Sequence, residues 1–547
     1  MRARVLSPAA PAVLALLHAA CAAAQQPAPH PAIDILSYGF QIVLPDTGSA
    51  IAARAVVVFR RAPGSPDTLT LNLVGLTVDS VGSHGSEPAK LYERVSYAYD
   101  GSRLRIALPP RALGETENVS VSYHGTPQDG LIFRTDASGR RSAFGDNWPE
   151  RARAWLPTVD SPADKAEVLW LVSAPRDSRV VANGRLAREG RSPDGRSWWA
   201  YEEHRPIPTY TMVIGAAPFT VSRRRPLVSG RDTIPIEVWA YPEDSAWANA
   251  VPFRRVTEIA EVLQGLVGPF PYEKLAHVES ATRYGGMENS TAIFYAEQEY
   301  VARRMGEGVV RHETAHQWFG DAVTEREFHD LWLSEGFATY LGLVAGAALD
   351  GDSVLTRGLR GEALRYMSAR EVDRPVIDTP VTTPTELLDA NSYNKGAWVL
   401  HMLRGLLGDS TFWQGIRDYY GRFRDSSVTS EDFQRVMEHA SARRLDWFFT
   451  QWLRRPGYPQ LDVAWRAGPG GRATFEVRQI QPEAWGRYAI PTVPVEFRRD
   501  GRVVGRRTFD LQPQAAPQVV SVALDGEPDA MVVDPEGTLL MTARVRP

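Results

Sequence analysis

One ten-residue stretch constrains this chain more than any other. Residues 311–320 read RHETAHQWFG and contain the pattern H-E-x-x-H. In an α-helix, residues four apart lie on the same face, with about 5–6 Å between their Cβ atoms, so His312 and His316 can bind one small cation. A catalytic zinc site takes three protein ligands and keeps one position open for water. Eighteen residues separate His316 from Glu335, which lies in a second helix-like run and supplies the third ligand.

The residues around both runs indicate a buried site. Trp318 and Phe319 follow the histidine pair, and Phe337 and Tyr340 follow Glu335. Because an unpaired buried carboxylate is costly, a buried glutamate beside two buried histidines needs a partner, and one zinc ion satisfies all three. The alternative, two surface histidines on a helix, agrees less well with these apolar flanks.

The composition bounds the classes of protein to which the chain can belong. The 547 residues are 44% hydrophobic and 23% charged, with a net charge of -4. This length predicts several domains. The near balance of charge argues against a nucleic-acid partner and against a membrane-surface role. No later stretch of 18 or more apolar residues occurs, so no transmembrane segment is predicted.

Residues 1–24 are predicted to be a secretory signal peptide. Arg2 and Arg4 form a positive region, an apolar run follows, and three alanines provide a cleavage site before Gln25. We therefore expect an exported protein, periplasmic or secreted. The alternative is a lipoprotein that carries its lipid anchor on Cys21, the only cysteine of the chain.

The pattern of apolar residues divides the mature chain into three parts. Residues 33–219 are predicted to form a β domain, because apolar and polar residues alternate there, as at Leu69, Leu71 and Leu73. Residues 220–457 are mainly helical in pattern and end at a Pro-Gly break. Residues 458–547 alternate again and predict a small β-sandwich. The expected fold class is a multidomain α+β protein.

A second motif precedes the zinc pattern. Residues 283–289 read RYGGMEN, and Glu288 lies 24 residues before His312. Paired glycines let a backbone approach a ligand closely, and a carboxylate directly after them can receive a cation. By itself the motif is better explained by an edge strand or a turn with a solvated glutamate. Its position upstream of the zinc pattern favours a functional role.

Together these motifs resemble the aminopeptidase N family of zinc metallopeptidases, whose members carry G-[AG]-M-E-N, then H-E-x-x-H, eighteen residues and a glutamate. Residues 391–397, NSYNKGA, resemble the family's Y-x-K-G-A segment, and residues 157–166 resemble its first-domain P-x-x-D-x-P-x-x-K-A segment. The resemblance runs from about residue 140 to about residue 460. It implies a β domain, a thermolysin-like catalytic domain with one zinc ion, and a C-terminal β-sandwich.

The resemblance also implies a function, the removal of N-terminal amino acids from peptides that have a free N-terminus. The zinc ligands would be His312, His316 and Glu335. Glu313 would act as general base towards a water molecule that zinc has made acidic, and the Tyr393 hydroxyl would stabilise charge on the carbonyl oxygen. Glu288 would bind the α-ammonium of the substrate. The predicted substrate-binding residues are Gly285, Gly286, Met287, Glu288 and Asn289.

The sequence allows more than one arrangement around the site. The family often adds a C-terminal helical domain that the given sequence does not include, so a more open site is expected. One residue of 146–150 corresponds to a family position that helps hold the substrate amine, but the sequence does not say which. Asp330 is either the N-cap of the second helix or a partner of a ligand histidine. Tyr284 and Met287 as pocket walls favour apolar or large N-terminal residues.

Two other functions are compatible with part of the pattern. A zinc endopeptidase shares the three ligands but does not need an amine-binding carboxylate beside two glycines. A catalytically inactive binding or scaffold protein on the same fold predicts a lost ligand or a lost base. His312, Glu313, His316 and Glu335 are all present.

Overall fold

The computed structural model describes residues 32–84, 93–110, 114–136 and 139–547. The predicted signal peptide, the segment that follows it and Cys21 lie outside these residues. Across the described ranges, no helix combines the length and the apolar character that crossing a membrane requires.

The first part of the chain is built from strands. The strands are β1 (Ile33–Val43), β2 (Ile51–Arg61), β3 (Thr68–Asn72), β4 (Thr77–His84), β5 (Glu93–Arg94), β6 (Tyr97–Tyr99), β7 (Arg103–Ala107), β8 (Thr116–Gly125), β9 (Leu131–Thr135), β10 (Arg141–Gly145), β11 (Lys165–Ala174), β12 (Arg179–Ala182), β13 (Arg185–Arg191), β14 (Ser197–Pro208) and β15 (Ile214–Ala217). They form an eight-stranded sheet in the order β13-β14-β11-β1-β2-β8-β4-β5, a four-stranded sheet β12-β15-β10-β9 and a three-stranded sheet β3-β7-β6. Strict alternation of buried and half-buried residues along β11 shows that one face of the large sheet covers the core.

The middle part combines a five-stranded sheet with most of the helices. Its strands are β16 (Thr220–Arg223), β17 (Leu227–Ser229), β18 (Asp232–Ile234), β19 (Ile236–Ala240), β20 (Leu275–Ser280), β21 (Gly286–Met287), β22 (Ala292–Ala296), β23 (Val323–Glu325) and β24 (Ser426–Val428). The five-stranded sheet has the order β16-β19-β20-β22-β21, so β21 is an edge strand. An edge strand leaves one row of backbone groups unpaired and able to bind an extended peptide.

Helices make up most of the rest of the middle part. They are α1 (Ser245–Ala250), α2 (Val256–Val267), α3 (Glu297–Val301), α4 (Glu307–His316), α5 (Trp332–Asp350), α6 (Ser353–Ser368), α7 (Gly396–Leu407), α8 (Asp409–Phe423), α9 (Ser430–Ser441) and α10 (Asp446–Leu453). A π-helical turn, Asn391–Lys395, leads directly into α7. The sequence pattern predicts that residues 431–453 are helical. The structure forms two helices there, because Ala442 adopts a left-handed backbone with φ 51° and separates α9 from α10.

The last part contains two sheets. Its strands are β25 (Gln460–Gly468), β26 (Arg472–Gln479), β27 (Ile490–Arg499), β28 (Arg502–Leu511), β29 (Gln518–Ala523), β30 (Ala530–Val533) and β31 (Thr542–Arg546). They pair in the orders β29-β26-β25-β31 and β28-β27-β30. Buried aromatic residues of the two sheets meet, as Phe475 and Phe497 do at 6.3 Å between ring centroids. The predicted fold class is thereby confirmed, and the limits proposed for each domain remain a prediction.

Candidate active site

The predicted ligand triad comes together at one point between α4 and α5. The Nε2 atoms of His312 and His316 lie 3.1 Å apart. Oε2 of Glu335 lies 3.2 Å from Nε2 of His312 and 3.3 Å from Nε2 of His316. Two imidazole nitrogens and a carboxylate oxygen therefore form a triangle with nearly equal sides.

This triangle has the dimensions of a zinc site. In a tetrahedral complex with ligand distances of about 2.0–2.1 Å, neighbouring ligand atoms lie about 3.3 Å apart. The three measured sides fall close to that value. His316 and Glu335 are buried and His312 is half-buried, so the donor atoms sit in a shielded position. The residues present fit one zinc ion.

A second layer of contacts fixes the orientation of His316. Its Nδ1 donates a hydrogen bond to the carbonyl oxygen of Phe319 at 3.1 Å and also lies 3.1 Å from the Ser334 hydroxyl. A proton held at Nδ1 leaves Nε2 with a free lone pair for a metal. Gly320, with φ 115°, closes this turn, and a Cβ atom at Gly320 would lie only 2.9 Å from Nδ1 of His316.

Glycines also bring the two metal helices close together. A Cβ atom at Gly342 of α5 would lie 3.3 Å from the backbone nitrogen of His312 on α4. Glycine allows this close packing, because a Cβ atom here would fit only if the backbone of α4 moved away by a few tenths of an ångström. The short distance between the helices allows Glu335, one turn into α5, to reach both histidines of α4.

Glu313 lies beside the triad, against the edge strand β21. A Cβ atom at Gly286 would overlap the carboxylate of Glu313, so the glycine makes room for that side chain. Gly285 has no atom within 4 Å of the corresponding position and faces open space. The two glycines therefore have different roles in the structure: Gly286 accommodates Glu313, and Gly285 leaves room in the cavity.

Glu288 is buried next to His316 and Glu313. It is 6% exposed, and its carboxylate, that of Glu313 and the ring of His316 have ligand atoms within 4.8 Å of one another. The Gln317 side chain donates a hydrogen bond to the backbone carbonyl of Glu288 at 2.9 Å and fixes the segment. Asn289 is fully buried behind Glu288 and does not line the cavity, so its position gives no support for direct contact with a substrate.

Burial and close packing shift the pKa values of the carboxylates and imidazoles in this cluster. Burial raises the pKa of Glu288 to about 7 and raises the pKa of Glu313 well above its usual range. Burial lowers the pKa of His316, but the surrounding carboxylates outweigh this effect and raise it well above its ordinary value. Three carboxylates around two imidazoles form a site that a divalent cation would stabilise.

Tyr393 reaches the triad from the π-helical turn. Its hydroxyl donates a hydrogen bond to Oε1 of Glu335 at 2.7 Å, and its ring stacks on that of His312 with 5.9 Å between centroids and 13° between planes. The turn approaches α5 closely because Gly336 and Gly396 meet there: a Cβ atom on Gly336 would lie 2.9 Å from Cα of Gly396. Single π-helical turns recur at functional sites.

These residues line a cavity of about 750 Å³. Its lining comprises Trp148, Tyr284, Gly285, Gly286, Met287, Glu288, Gly308, Val309, Arg311, His312, Glu313, His316, Glu335, Thr339, Gly342, Leu343, Glu362, Arg365, Leu388, Asp389, Ala390, Tyr393 and Asn394. All the predicted site residues except Asn289 are included.

The N-terminal β domain contributes Trp148 to this cavity. Its ring packs edge-on against Tyr284 at 5.9 Å and against Phe328 at 5.6 Å. Of residues 146–150, Trp148 is thus the one that lines the cavity. Asp146, by contrast, is fully buried and pairs with Arg151 at 3.0 Å. Which of the five residues helps hold the substrate amine stays a prediction, but the packing of the two domains brings Trp148 to the cavity.

Asp330 has a partner that neither sequence-based alternative anticipates. Oδ1 of Asp330 accepts a hydrogen bond from the Ser430 hydroxyl at 2.6 Å, and no side chain caps α5. Ser430 also accepts a hydrogen bond from the Trp332 indole at 2.8 Å. Asp330 therefore ties the start of α5 to α9.

Comparisons with known proteins agree with this geometry. Residues 255–452 match the model of the peptidase family M1 domain, and residues 49–211 match the model of the peptidase M1 N-terminal domain. The two matches fall on the helical middle part and on the N-terminal β sheets.

Two relatives that are similar to large parts of this chain are described as aminopeptidases. A probable aminopeptidase of Sulfurisphaera tokodaii is 29% identical over 368 residues, which is 64% of this chain and 46% of that protein. A leucyl aminopeptidase of Saccharolobus solfataricus is 24% identical over 461 residues, covering 80% of this chain and 55% of that protein. The chain thus spans about half the length of these two relatives.

Solved structures show the same fold. An M1 zinc metallopeptidase from Deinococcus radiodurans superimposes with a TM-score of 0.68 at 24% identity, covering 78% of this chain and 95% of that one. A variant of that protein bound to the substrate Tyr-Ser-Ala gives a TM-score of 0.67 at 23% identity, covering 77% and 94%.

Proposed function

Because the chain belongs to peptidase family M1, we propose that it is a zinc-dependent aminopeptidase that removes single residues from peptides with a free N-terminus. The observation that carries this proposal is the buried carboxylate of Glu288 in the same cavity as the ligand triad. A desolvated carboxylate forms strong, charge-assisted hydrogen bonds with an ammonium group. With the substrate amine held there, only the first peptide bond lies beside the triad.

In the proposed mechanism Glu288 binds and orients the substrate. The edge strand β21 offers unpaired backbone groups beside Gly285, along which an extended peptide can lie. Holding the amine and the backbone together places the scissile carbonyl between Glu313 and Tyr393. Fixing reactants in this way supplies a large part of the rate enhancement of enzymes.

His312, His316 and Glu335 would hold the zinc ion, which when bound supplies Lewis-acid chemistry, polarising a carbonyl group and making water acidic near neutral pH. Glu313 takes up the proton of the attacking water as general base and gives it to the leaving amine. Its position against Gly286 keeps the carboxylate close to the triad.

Tyr393 would stabilise the charge that develops on the carbonyl oxygen. Its hydroxyl donates to Glu335 in the structure, and a substrate carbonyl next to that carboxylate offers a second acceptor within a small movement of the ring. Removing one such donor typically lowers kcat about 10²- to 10³-fold.

The walls beside Glu288 indicate which N-terminal residues fit. Trp148, Tyr284, Met287 and Leu388 line this end of the cavity. An apolar wall favours apolar or aromatic side chains through the burial of their surface. We therefore expect hydrolysis of leucyl, methionyl and phenylalanyl substrates to exceed that of aspartyl and glutamyl ones.

An exported protein is the proposed location, periplasmic or secreted. The support is the pattern of residues 1–24, with two arginines, an apolar run and an alanine-rich cleavage site. Expression of the full chain in a bacterial host, followed by fractionation and N-terminal sequencing, tests this: cleavage before Gln25 is expected. Retention of Cys21 as a lipidated N-terminus would favour an anchored form instead.

Hydrolysis of aminoacyl-nitroanilides tests the proposed activity directly. The same compounds with an acetylated amine serve as matched controls, and each is assayed with and without a zinc chelator. We expect cleavage of the free-amine compounds only, abolished by the chelator and restored by added zinc. The variant Glu288→Gln should raise KM for these substrates while its zinc content stays unchanged.

The other outcomes identify other functions. Cleavage of the acetylated compounds at comparable rates would assign an endopeptidase and remove Glu288 from its proposed role. Zinc-loaded protein that cleaves neither set would be a binding or scaffold protein on a peptidase fold.

A further inference from the structure

The cavity extends from Glu288 past the triad to a second end, which carries an arginine paired with a glutamate. Glu288 lies beside His316, the later histidine of α4. At the other end, the cavity is lined by Gly308 and Val309 at the start of α4 and by Glu362 and Arg365 of α6. Glu362 accepts a hydrogen bond from the side chain of Asn394, the neighbour of Tyr393, whose ring stacks on that of His312, the earlier histidine. The triad therefore lies between Glu288 and the Glu362–Arg365 pair.

A substrate held by its amine must extend towards this second end. Glu288 holds the first residue, and the first peptide bond lies at the triad. The remaining residues of the peptide leave on the opposite side, along α4 towards α6. The groups on that side determine which leaving peptides are accepted.

Arg365 is placed to present a positive charge there. Its Nη1 donates a hydrogen bond to Oε1 of Glu362 at 2.6 Å, and the other oxygen of Glu362 accepts a hydrogen bond from the Asn394 side chain. The side chain of Glu362 is 12% exposed, whereas that of Arg365 is 66% exposed. Arg365 is thus held through one nitrogen of its guanidinium group and lines the cavity, and its other donors have no further side-chain partner within the described part of the chain.

The other arginine that lines the cavity, Arg311, already has two carboxylate partners. Arg311 is only 13% exposed and lies near Glu307 and Asp350 at 3.5 and 3.9 Å. Its guanidinium packs closely against Gly346 of α5. Among the arginines that line the cavity, Arg365 alone combines exposure with free donors.

We propose that Arg365 binds the C-terminal carboxylate of short peptides, so that the cavity selects peptides with both termini free. This inference rests on the proposed aminopeptidase function and adds a recognition site at the opposite end of the substrate. A guanidinium group matches a carboxylate with two parallel hydrogen bonds. A carboxylate at one end of the cavity and a guanidinium at the other are complementary to a zwitterionic peptide.

The test compares free acids with C-terminal amides. Leucyl dipeptides, tripeptides and tetrapeptides are prepared in both forms, and kcat/KM is measured for the wild-type protein and for Arg365→Gln. For at least one length, we expect the wild type to prefer the free acid by about 10- to 100-fold, as for hydrogen bonds to charged groups. Arg365→Gln should reduce the rate for the free acid to that for the amide. Arg365→Lys, which keeps the charge, should retain part of the preference.

Two controls separate recognition from damage to the site. Leucyl-nitroanilide has no carboxylate, so Arg365→Gln should leave its hydrolysis unchanged within about twofold. Arg357→Gln removes an exposed arginine of the same helix that does not line the cavity, and it should leave the preference intact.

Three results would overturn the inference: equal rates for acids and amides with the wild-type protein, an equal loss on both forms in Arg365→Gln, or a loss of preference in Arg357→Gln. Cleavage of the nitroanilide together with any of these contradicts only the role of Arg365. If the wild type cleaves no compound, the proposed function fails, and calorimetric binding of the acid and amide tripeptides to both proteins then decides the role of Arg365.

Discussion

The position of the Glu313 carboxylate depends on Gly286, which has no side chain. The carboxylate occupies space that any Cβ atom at Gly286 would claim. It is buried, and burial raises its pKa well above the usual range. A carboxyl group whose proton affinity is increased in this way is suited to accept a proton from water and to return it.

Replacement of Glu313 by glutamine tests that role. The amide has nearly the same shape but cannot accept the proton, so we expect kcat to fall about 10²- to 10⁴-fold. Zinc content, measured by atomic absorption, should stay at one ion per chain, because Glu313 is not in the triad. Glu327→Gln, at a side chain that is 74% exposed, serves as control and should keep full activity. Loss of zinc in Glu313→Gln would instead indicate a structural role.

A different buried carboxyl group, Glu279 of β20, links stability to pH. Burial and the nearby Asp244 raise the pKa of Glu279 to about 9, although the backbone N–H of Tyr241 donates a hydrogen bond to it at 2.8 Å. The folded protein therefore keeps a proton that the unfolded chain releases above about pH 4.3. The resulting stabilisation is complete below that pH and is lost as the pH rises towards 9, by at most about 1.4 kcal/mol per pH unit.

The variant Glu279→Gln should remove this pH dependence. Its amide oxygen can still accept the hydrogen bond from Tyr241, and it has no proton to lose. We expect the melting temperature of the wild type to fall relative to that of the variant as the pH is raised from 5 to 9. Glu327→Gln should give a curve parallel to the wild type. A parallel curve for Glu279→Gln as well would contradict the raised pKa.

At the scale of elements, the close packing of α5 against the π-helical turn before α7 brings the ligand Glu335 and the hydroxyl of Tyr393 together. Gly336 lies next to the ligand Glu335, and Gly396 follows the turn that carries Tyr393. Cβ atoms at these positions would lie 2.9 and 3.0 Å from the backbone opposite. The hydrogen bond from Tyr393 to Glu335 therefore depends on two glycines that contact no substrate.

Replacement of Gly336 by alanine should separate these elements. A displacement of about 1 Å at a catalytic group can lower the rate about 100-fold, so we expect kcat to fall about 10- to 100-fold and the melting temperature to decrease. Gly405 of α7 is the matched control, because a Cβ atom there meets nothing within 4 Å. Gly405→Ala should keep full activity and stabilise the helix by up to about 1 kcal/mol. Equal kcat values for the two variants would refute the argument.

The elements that sequence predicted best are those with local patterns. His312, His316 and Glu335 follow from helical spacing within one short segment, and the alternation at Leu69 and Leu71 of β3 follows from a sheet with one buried face. Met287 and Glu288 were predicted from a motif, and their burial agrees with it. In each case the information lies within a few dozen residues of chain.

The features that the sequence did not predict depend on distant contacts. Trp148 lines the cavity only because the first domain packs on Phe328 and Tyr284. Asp330 pairs with Ser430, a hundred residues later in the chain. Ala442 interrupts a helix although its residue type favours helix formation. No local pattern contains this information, because each feature results from how separate elements pack.

At the scale of the whole molecule, one turn between the catalytic part and the C-terminal sheets receives three hydrogen bonds. The Lys395 amine donates to the carbonyl of Arg455 at 2.9 Å. The hydroxyls of Tyr366 and Tyr488 donate to the carbonyls of Gly457 and Pro456 at 3.1 and 2.8 Å. Lys395 is fully buried and ends the π-helical turn of Tyr393. The C-terminal sheets are thus connected to the site through that turn.

Lys395→Met should therefore lower kcat although the residue does not line the cavity. Methionine keeps the length of the chain but cannot donate to Arg455, and we expect about a tenfold loss because the turn of Tyr393 shifts. Tyr488→Phe removes one hydrogen bond from the same junction without touching that turn, and it should keep kcat within about twofold.

Combining Lys395→Met with Tyr393→Phe distinguishes positioning from general damage. If Lys395 acts through Tyr393, it should have little further effect once that hydroxyl is gone, since coupled residues are not additive. Additive losses in the double variant, or equal losses in Lys395→Met and Tyr488→Phe, would contradict a positioning role.

Because Trp148 belongs to the first domain, the cavity is complete only when that domain is packed on the catalytic part. The zinc triad forms where α4 and α5 pack together, but the wall beside Glu288 is completed only where Trp148 of the first domain packs on Tyr284 and Phe328. Without this packing a peptide amine would meet a carboxylate that is open to water, where ionic contacts are weak. Full shielding of Glu288 therefore requires the first domain to be docked, and a chain in which it has not docked should bind a peptide amine weakly.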